Sequence, residues 1–264
     1  MGSRNGRSVL GSVLGSNLNR EKLLKWVVFV FPLVIIFCLV LLRTLSGLSG
    51  SSEEGLYGAI VTMEGGPVEN GTSLTYFLAF SCALFIAIRF FRVRPRRNLL
   101  GFLYLLLSLA FLFVCMEEIS WGQEILDIRP SAFFKEHNSQ KEYTLHNLEV
   151  IAPNAGEGRN YVHKLYTMVG FVGAFAWLVL RTKMKNNATA TVHYFVPSWY
   201  LALYFLPVSI LYLYVDISRY YLDGEYAIAA ITSSDQEPAE LLLSFGFLLF
   251  VVINVYRQKS LSSK

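Results

Sequence analysis

Hydrophobic and polar positions do not alternate along this chain; they come in blocks. Six stretches, residues 26–42, 74–88, 99–116, 165–180, 194–215 and 241–256, are almost free of charge. A helix that crosses the ~30 Å hydrocarbon core of a bilayer needs about 20 largely apolar residues, with a range of about 17–25. The second, fourth and sixth blocks are short of that, and flanking side chains such as Arg89 and Lys164 lengthen them by snorkelling. The pattern predicts an all-α fold, a polytopic transmembrane helix bundle with about six spanning helices. The expected spans are about 24–43, 74–92, 99–118, 163–181, 194–216 and 239–256, within a membrane domain over 26–256. A flexible basic tail over 1–25, a long loop over 119–162 and a short tail over 257–264 complete the layout.

Composition agrees with the blocks. The 264 residues are 54% hydrophobic and 16% charged, where an ordinary soluble domain carries roughly 25% charged residues. The first block exceeds a signal-peptide core of about 7–15 residues and reads as an anchor helix. Cys38, Cys82 and Cys115 all lie inside apolar blocks, as small hydrophobes rather than a disulfide framework or zinc knuckle. Pro197 is expected in the first turn of the fifth helix, where a missing N–H is harmless, and Pro207 in mid-span.

The charges then give the blocks a direction. If every block crosses, one face of the membrane collects Arg4, Arg7, Arg20, Lys22, Lys25, Arg89, Arg92, Arg94, Arg96, Arg97, Arg181, Lys183, Lys185, Arg257, Lys259 and Lys264. The other face collects every acidic residue except Glu21. Lysine and arginine mark the cytoplasmic side, so both termini are expected to be cytoplasmic in an integral membrane protein. The net charge of +4 therefore speaks for the bilayer as partner, with no nucleic acid. The sequon Asn70-Gly71-Thr72 falls on the acidic face, where a eukaryotic host could glycosylate Asn70. Asn187-Ala188-Thr189 falls on the basic face.

Chemistry concentrates at the acidic face. The third block runs into M-E-E-I-S-W-G-Q-E, residues 116–124. A helix continuing toward Pro130 would put Glu117, Trp121 and Glu124 on one face. Two adjacent carboxylates in low dielectric repel, and a cation, a metal ion or a shared proton relieves the repulsion. In the following loop Leu145, Leu148 and Ile151 repeat at helical spacing, predicting a short interfacial helix that carries His146, Asn147 and Glu149. His163 opens the fourth span, Asp216 closes the fifth and Glu240 opens the sixth. Glu117, Glu118, His146, His163, Asp216 and Glu240 are thus candidate ligands for one divalent metal ion. Glu124, Asp127, Glu136 and Glu157 are expected to be solvated. No H-E-x-x-H, C-x-x-C, G-x-S-x-G or phosphate-cradling loop occurs, and Gly170 and Gly173 read as close helix packing.

The stretch E-E-I-S-W-G-Q at 117–123, followed by N-S-Q-K-E-Y-T-L-H-N-L at 138–148, resembles a family of polytopic membrane proteins found mainly in bacteria. Its members carry E-E-x-S-W-G-Q and then N-x-Q-x-E-x-x-L-H-N-L. They often have Arg after the Gln, where this chain has Glu124. The resemblance implies a membrane bundle and singles out Glu117, Glu118, Ser120, Trp121, Gln123, Asn138, Gln140, Glu142, His146 and Asn147. It names no reaction.

Three functions stay open on the sequence. One is an enzyme with Glu117, Glu118 and His146 as catalytic residues, acting on a lipid or lipid-linked substrate at the non-cytoplasmic interface. Ser120, Trp121, Gln123, Asn138, Gln140, Glu142 and Asn147 would then contact substrate or orient the catalytic groups. A second is a non-catalytic subunit or scaffold for membrane protein partners. A third, a cation or proton transporter, is disfavoured because charges sit at one membrane edge rather than in mid-span.

Overall fold

The computed structural model describes residues 5–48, 55–63, 65–93, 98–152, 160–185, 192–221 and 236–262. The helices are α1 (Asn5–Leu48), α2 (Pro67–Val93), α3 (Asn98–Glu118), α4 (Gln123–Leu126), α5 (Ala132–His137), α6 (Tyr161–Lys185), α7 (Val192–Phe195), α8 (Ala202–Tyr221) and α9 (Glu237–Ser262). A π-helical turn, Gly58–Thr62, precedes α2, and short 3-10 turns precede α4 and α8. Extended pairing among the described residues is limited to one isolated antiparallel bridge, Asn138 with Leu148.

Among the described residues, six helices are long and apolar enough to cross a membrane: Asn19–Gly47, Pro67–Arg92, Asn98–Glu118, Tyr161–Leu180, Trp199–Ser218 and Glu237–Gln258. The protein is an all-α, multi-pass membrane protein. In lipid every backbone polar group must be satisfied within the segment, which is why each apolar block becomes a helix.

The bundle is built as a row of packed pairs. α3 packs on α2, α2 on α9, α9 on α8 and α8 on α6. Half of the apolar window of α9 is buried, against 6% for α1, so α9 is the central helix and α1 the peripheral one. Ile86, Phe90, Tyr104, Phe205, Val208, Leu242 and Val251 fill the core. The α6–α8 crossing depends on glycine: a Cβ on Gly170 would stand 2.6 Å from the Phe205 carbonyl oxygen, and one on Gly173 would enter the Phe205 ring. Cys38, Cys82 and Cys115 are free thiols.

Four sequence expectations are corrected. The segment over 1–25 is not a free tail throughout, because α1 runs without a break from Asn5. The fifth span starts later than residue 194: Tyr194 belongs to α7, and Pro197 lies in the break before the turn at Trp199–Leu201. Proline disfavours helical geometry in the residue before it, so Val196 leaves the helix. Pro207 is inside α8 as expected. The third helix does not continue toward Pro130. It stops at Glu118, and Ser120, Trp121 and Gly122 have positive φ values of 46°, 55° and 80°. Finally, residues 145–151 form turns, and the helices of this loop are instead α4 and α5. Of the apolar repeat there, Leu148 is buried at 8% exposure, Ile151 is half-buried and Leu145 is exposed.

Candidate functional site

The termini of five helices meet at the acidic end of the bundle, and local sequence explains how each arrives. Pro67 starts α2, suiting a position with no N–H to satisfy. Glu69 in its first turn takes a hydrogen bond from the Gly65 N–H at 2.7 Å. Asn160 caps α6 by accepting the His163 N–H at 3.0 Å on its side-chain oxygen. α9 opens with Glu237 and Glu240 in its first turn, where the positive end of the helix dipole favours carboxylates. α3 contributes its last residue, Glu118. Asp216 comes from α8.

Glu117 is buried, 4% exposed, and its carboxylate is fully engaged. Oε1 accepts the Trp121 indole N–H at 2.5 Å. Oε2 accepts the backbone N–H groups of Leu145 at 2.8 Å and His146 at 2.9 Å, and faces His146 Nδ1 at 2.9 Å. A carboxylate offers about four acceptor positions. Glu117 is a staple that holds the loop against the end of α3.

The other motif residues complete that staple. Asn138, 3% exposed, donates to the Thr144 carbonyl at 2.6 Å, while its side-chain oxygen accepts the Gln140 N–H at 2.9 Å. Asn147 donates to Gln140 and to the Thr144 hydroxyl. Gln123 accepts the Tyr143 N–H at 2.9 Å, and the Ser120 hydroxyl donates to Glu142 at 2.5 Å. These bonds compensate for the left-handed backbone of Ser120 and Trp121, since positive φ costs a side-chain-bearing residue roughly 1–2 kcal/mol.

Glu118 takes the other direction. Its carboxylate meets those of Glu237 and Glu240, with one oxygen from each residue lying within 4.8 Å of the others. Glu240 is 8% exposed and receives hydrogen bonds from the hydroxyls of Tyr166 and Tyr212. Glu237 Oε2 is buried with no hydrogen-bond donor among the described residues. No lysine or arginine among the described residues pairs with any of the three carboxylates. Glu69 lies within electrostatic range of all three, and His146 within range of Glu237.

A third group adjoins the second. His163 Nδ1 lies 2.7 Å from Asp216 Oδ1, with His163 6% exposed. The His163 ring packs on Tyr212 at 4.7 Å, and the other tyrosine of the Glu240 pair, Tyr166, stacks on Tyr212 at 4.9 Å. The six sequence-derived candidate ligands therefore fall into three groups: Glu117 with His146, Glu118 with Glu240, and His163 with Asp216. Tyr212 links the last two. Three residues escaped the sequence reading. Glu237 stands three residues before Glu240, one helical turn away, and that spacing was a readable signal. Tyr166 and Tyr212 looked like ordinary span aromatics.

Asp127 and Glu136 are exposed as expected, while Glu157 and the sequon at Asn187 lie outside the described residues. Asn70 sits in the first turn of α2, its amide donating to the carbonyls of Gly65 and Gly66 at 2.6 and 3.1 Å. Thr72 of that sequon is 0% exposed. Any glycan at Asn70 would have to be added before α2 packs. No family model, curated protein or solved structure matches the chain.

Proposed function

We propose that this protein is a membrane-embedded enzyme that acts on a lipid or lipid-linked substrate at the acidic, non-cytoplasmic interface. Its divalent cation would be held by Glu118, Glu237 and Glu240. The observation that carries this reading is the convergence of three carboxylates from two helices, α3 and α9, without a lysine or arginine partner among the described residues. Burying unpaired carboxylates in a bundle is expensive, and intramembrane ionisable groups mark functional sites by default. An all-carboxylate set suits a hard cation such as Mg, Mn or Ca, and carboxylates also serve Zn. Such an ion supplies an acidified water and a Lewis acid, the requirements for hydrolysing an ester, amide or phosphoester.

The chain's own groups take defined roles around that position. Tyr166 and Tyr212 orient Glu240 by donating one hydrogen bond to each of its oxygens, as hydrogen-bonded neighbours of metal ligands do. Asp216 fixes the His163 ring, leaving an oriented imidazole available for proton transfer. The E-E-x-S-W-G-Q and N-x-Q-x-E-x-x-L-H-N-L motifs hold the loop against the end of α3, next to Glu118, so their specificity is structural as much as chemical.

Metal analysis of the purified protein is the test. Stoichiometric Mn, Mg, Ca or Zn that is lost in Glu118→Gln and Glu237→Gln, with both variants still folded, supports the reading. Metal that binds without any turnover of lipid esters, amides or phosphoesters supports a non-catalytic subunit instead. Wild-type metal content in both variants removes the proposed site.

A further inference from the structure

We infer that residues 121–136 are seated in the membrane leaflet at the acidic end of the bundle, as an apron in the headgroup and upper acyl region. The inference is independent of the proposed chemistry. Immediately after the apolar span of α3 ends at Glu118, the chain exposes Trp121 at 42%, Leu126 at 65%, Ile128 at 45% and Phe133 at 55%. A loop facing water would turn such side chains inward, and this loop does so elsewhere: Phe134 packs on Tyr143 at 5.0 Å and Leu148 is buried.

The occupant follows from continuity. Phe113, on the α3 surface within the span, is 44% exposed, and its ring meets Trp121 edge-on at 5.9 Å. The lipid-facing surface of α3 thus continues from Phe113 onto Trp121 in the loop, and the exposed apolar residues beyond it are interrupted by exposed Asp127. The strained turn at Ser120–Gly122 directs the chain out of the helix axis at this point, where a continued helix would carry Leu126 and Ile128 away from the bilayer. Tryptophan is the side chain that prefers the headgroup level. Exposed Arg129 and Lys135 lie among these residues, placed to reach lipid phosphates, while the Glu117 staple holds the whole segment in register. Exposed apolar patches beside a span mark membrane contact.

The test uses the full-length protein reconstituted in phosphatidylcholine bilayers. Nitroxide labels at Leu126→Cys and Phe133→Cys are expected to relax strongly with oxygen and weakly with a water-soluble nickel chelate, the reverse of a label at Ser139→Cys, an exposed position outside the apron. In bilayers of brominated phosphatidylcholine, wild-type tryptophan emission is expected to lose a shallow-bromine component that Trp121→Phe lacks. Nickel accessibility at 126 and 133 equal to that at 139, with no Trp121 quenching, overturns the inference. Labels shielded from both reagents overturn it too, because a second protein surface would then cover the patch. Neither readout depends on a metal ion or on turnover, so failure here leaves the functional reading standing, and the reverse also holds.

Discussion

Glu117 and Glu118 are adjacent in the chain yet serve separate clusters. Glu117 closes four contacts with Trp121, Leu145 and His146, and Glu118 meets Glu237 and Glu240. One stretch of sequence thus supplies both the fastening of the loop and a wall of the carboxylate cluster. The two residues must fail differently when altered.

Glu117→Gln puts an amide N–H₂ where acceptors are required and weakens the bonds to two backbone N–H groups. Hydrogen bonds to a charged group contribute about 1.5–3 kcal/mol each, and the solvent-exposed share of His146 reduces its part of that total. The expected loss is about 2–4 kcal/mol, read as a lower melting temperature in detergent together with faster proteolysis within residues 139–147. An unchanged cleavage rate in that loop would contradict the staple.

Glu118→Gln removes one of three mutually repelling carboxylates. In metal-free detergent the melting temperature is expected to hold or rise. Adding the binding cation to wild type at a hundredfold excess over its Kd stabilises the fold by about 2.7 kcal/mol. That gain is expected to vanish in Glu118→Gln and in Glu237→Gln. Equal gains in wild type and both variants place the cation elsewhere.

The spans were legible because the hydrocarbon core imposes one length scale and forces every apolar block into a helix. The acidic end was legible too, since side chains at helix ends of one membrane face share a depth. Lateral grouping was not readable. Which of Glu117 and Glu118 meets Glu240 is decided by the rotation of α3 about its axis as it packs on α2, and what the other holds depends on a left-handed turn at Ser120 and Trp121. Neither residue favours such a backbone, so nothing local announces it; the bonds that compensate come from Glu142 and Glu117. The interfacial helix was misplaced because Leu145, Leu148 and Ile151 repeat at helical spacing for a different reason. Asn138 draws residues 140–144 into a tight turn with its own side chain, and side-chain bonds of this kind compete with helix formation.

Gly170→Ala tests the crossing that brings His163 beside Tyr212. The added methyl meets a backbone carbonyl of α8 at 2.6 Å, which cannot rotate aside. Overpacking of this kind costs about 1–3 kcal/mol. Thermal unfolding in detergent is expected to show that loss in Gly170→Ala, whereas Gly47→Ala, with open space around it, leaves the melting temperature unchanged.

The alternation of basic and acidic segments predicts a topology that labelling can test. In a background without Cys38, Cys82 and Cys115, a single cysteine replacing exposed Ser139 and another replacing Arg92 are expected to label with impermeant maleimide from opposite sides of the membrane. Labelling of both from one compartment would require an odd span to be missing between α2 and the loop.

His163 and Asp216 form the one histidine–carboxylate pair among the described residues in which both partners lie within spanning helices. Removing one partner of a fully buried pair costs about 3–5 kcal/mol, and the 16% exposure of the Asp216 side chain brings this pair toward the lower end. His163→Ala and Asp216→Ala are each expected to destabilise the protein by an amount of that order. The double variant is expected to lose less than the sum, by about 1–3 kcal/mol of coupling. The cycle also separates pairing from packing. His163→Phe keeps a ring against Tyr212 but loses the bond to Asp216, so it should retain the packing part alone and show no coupling to Asp216→Asn. Full additivity in the alanine cycle would mean that the 2.7 Å contact does not hold α6 to α8, and the imidazole would lose the fixed orientation on which its proposed role in proton transfer rests.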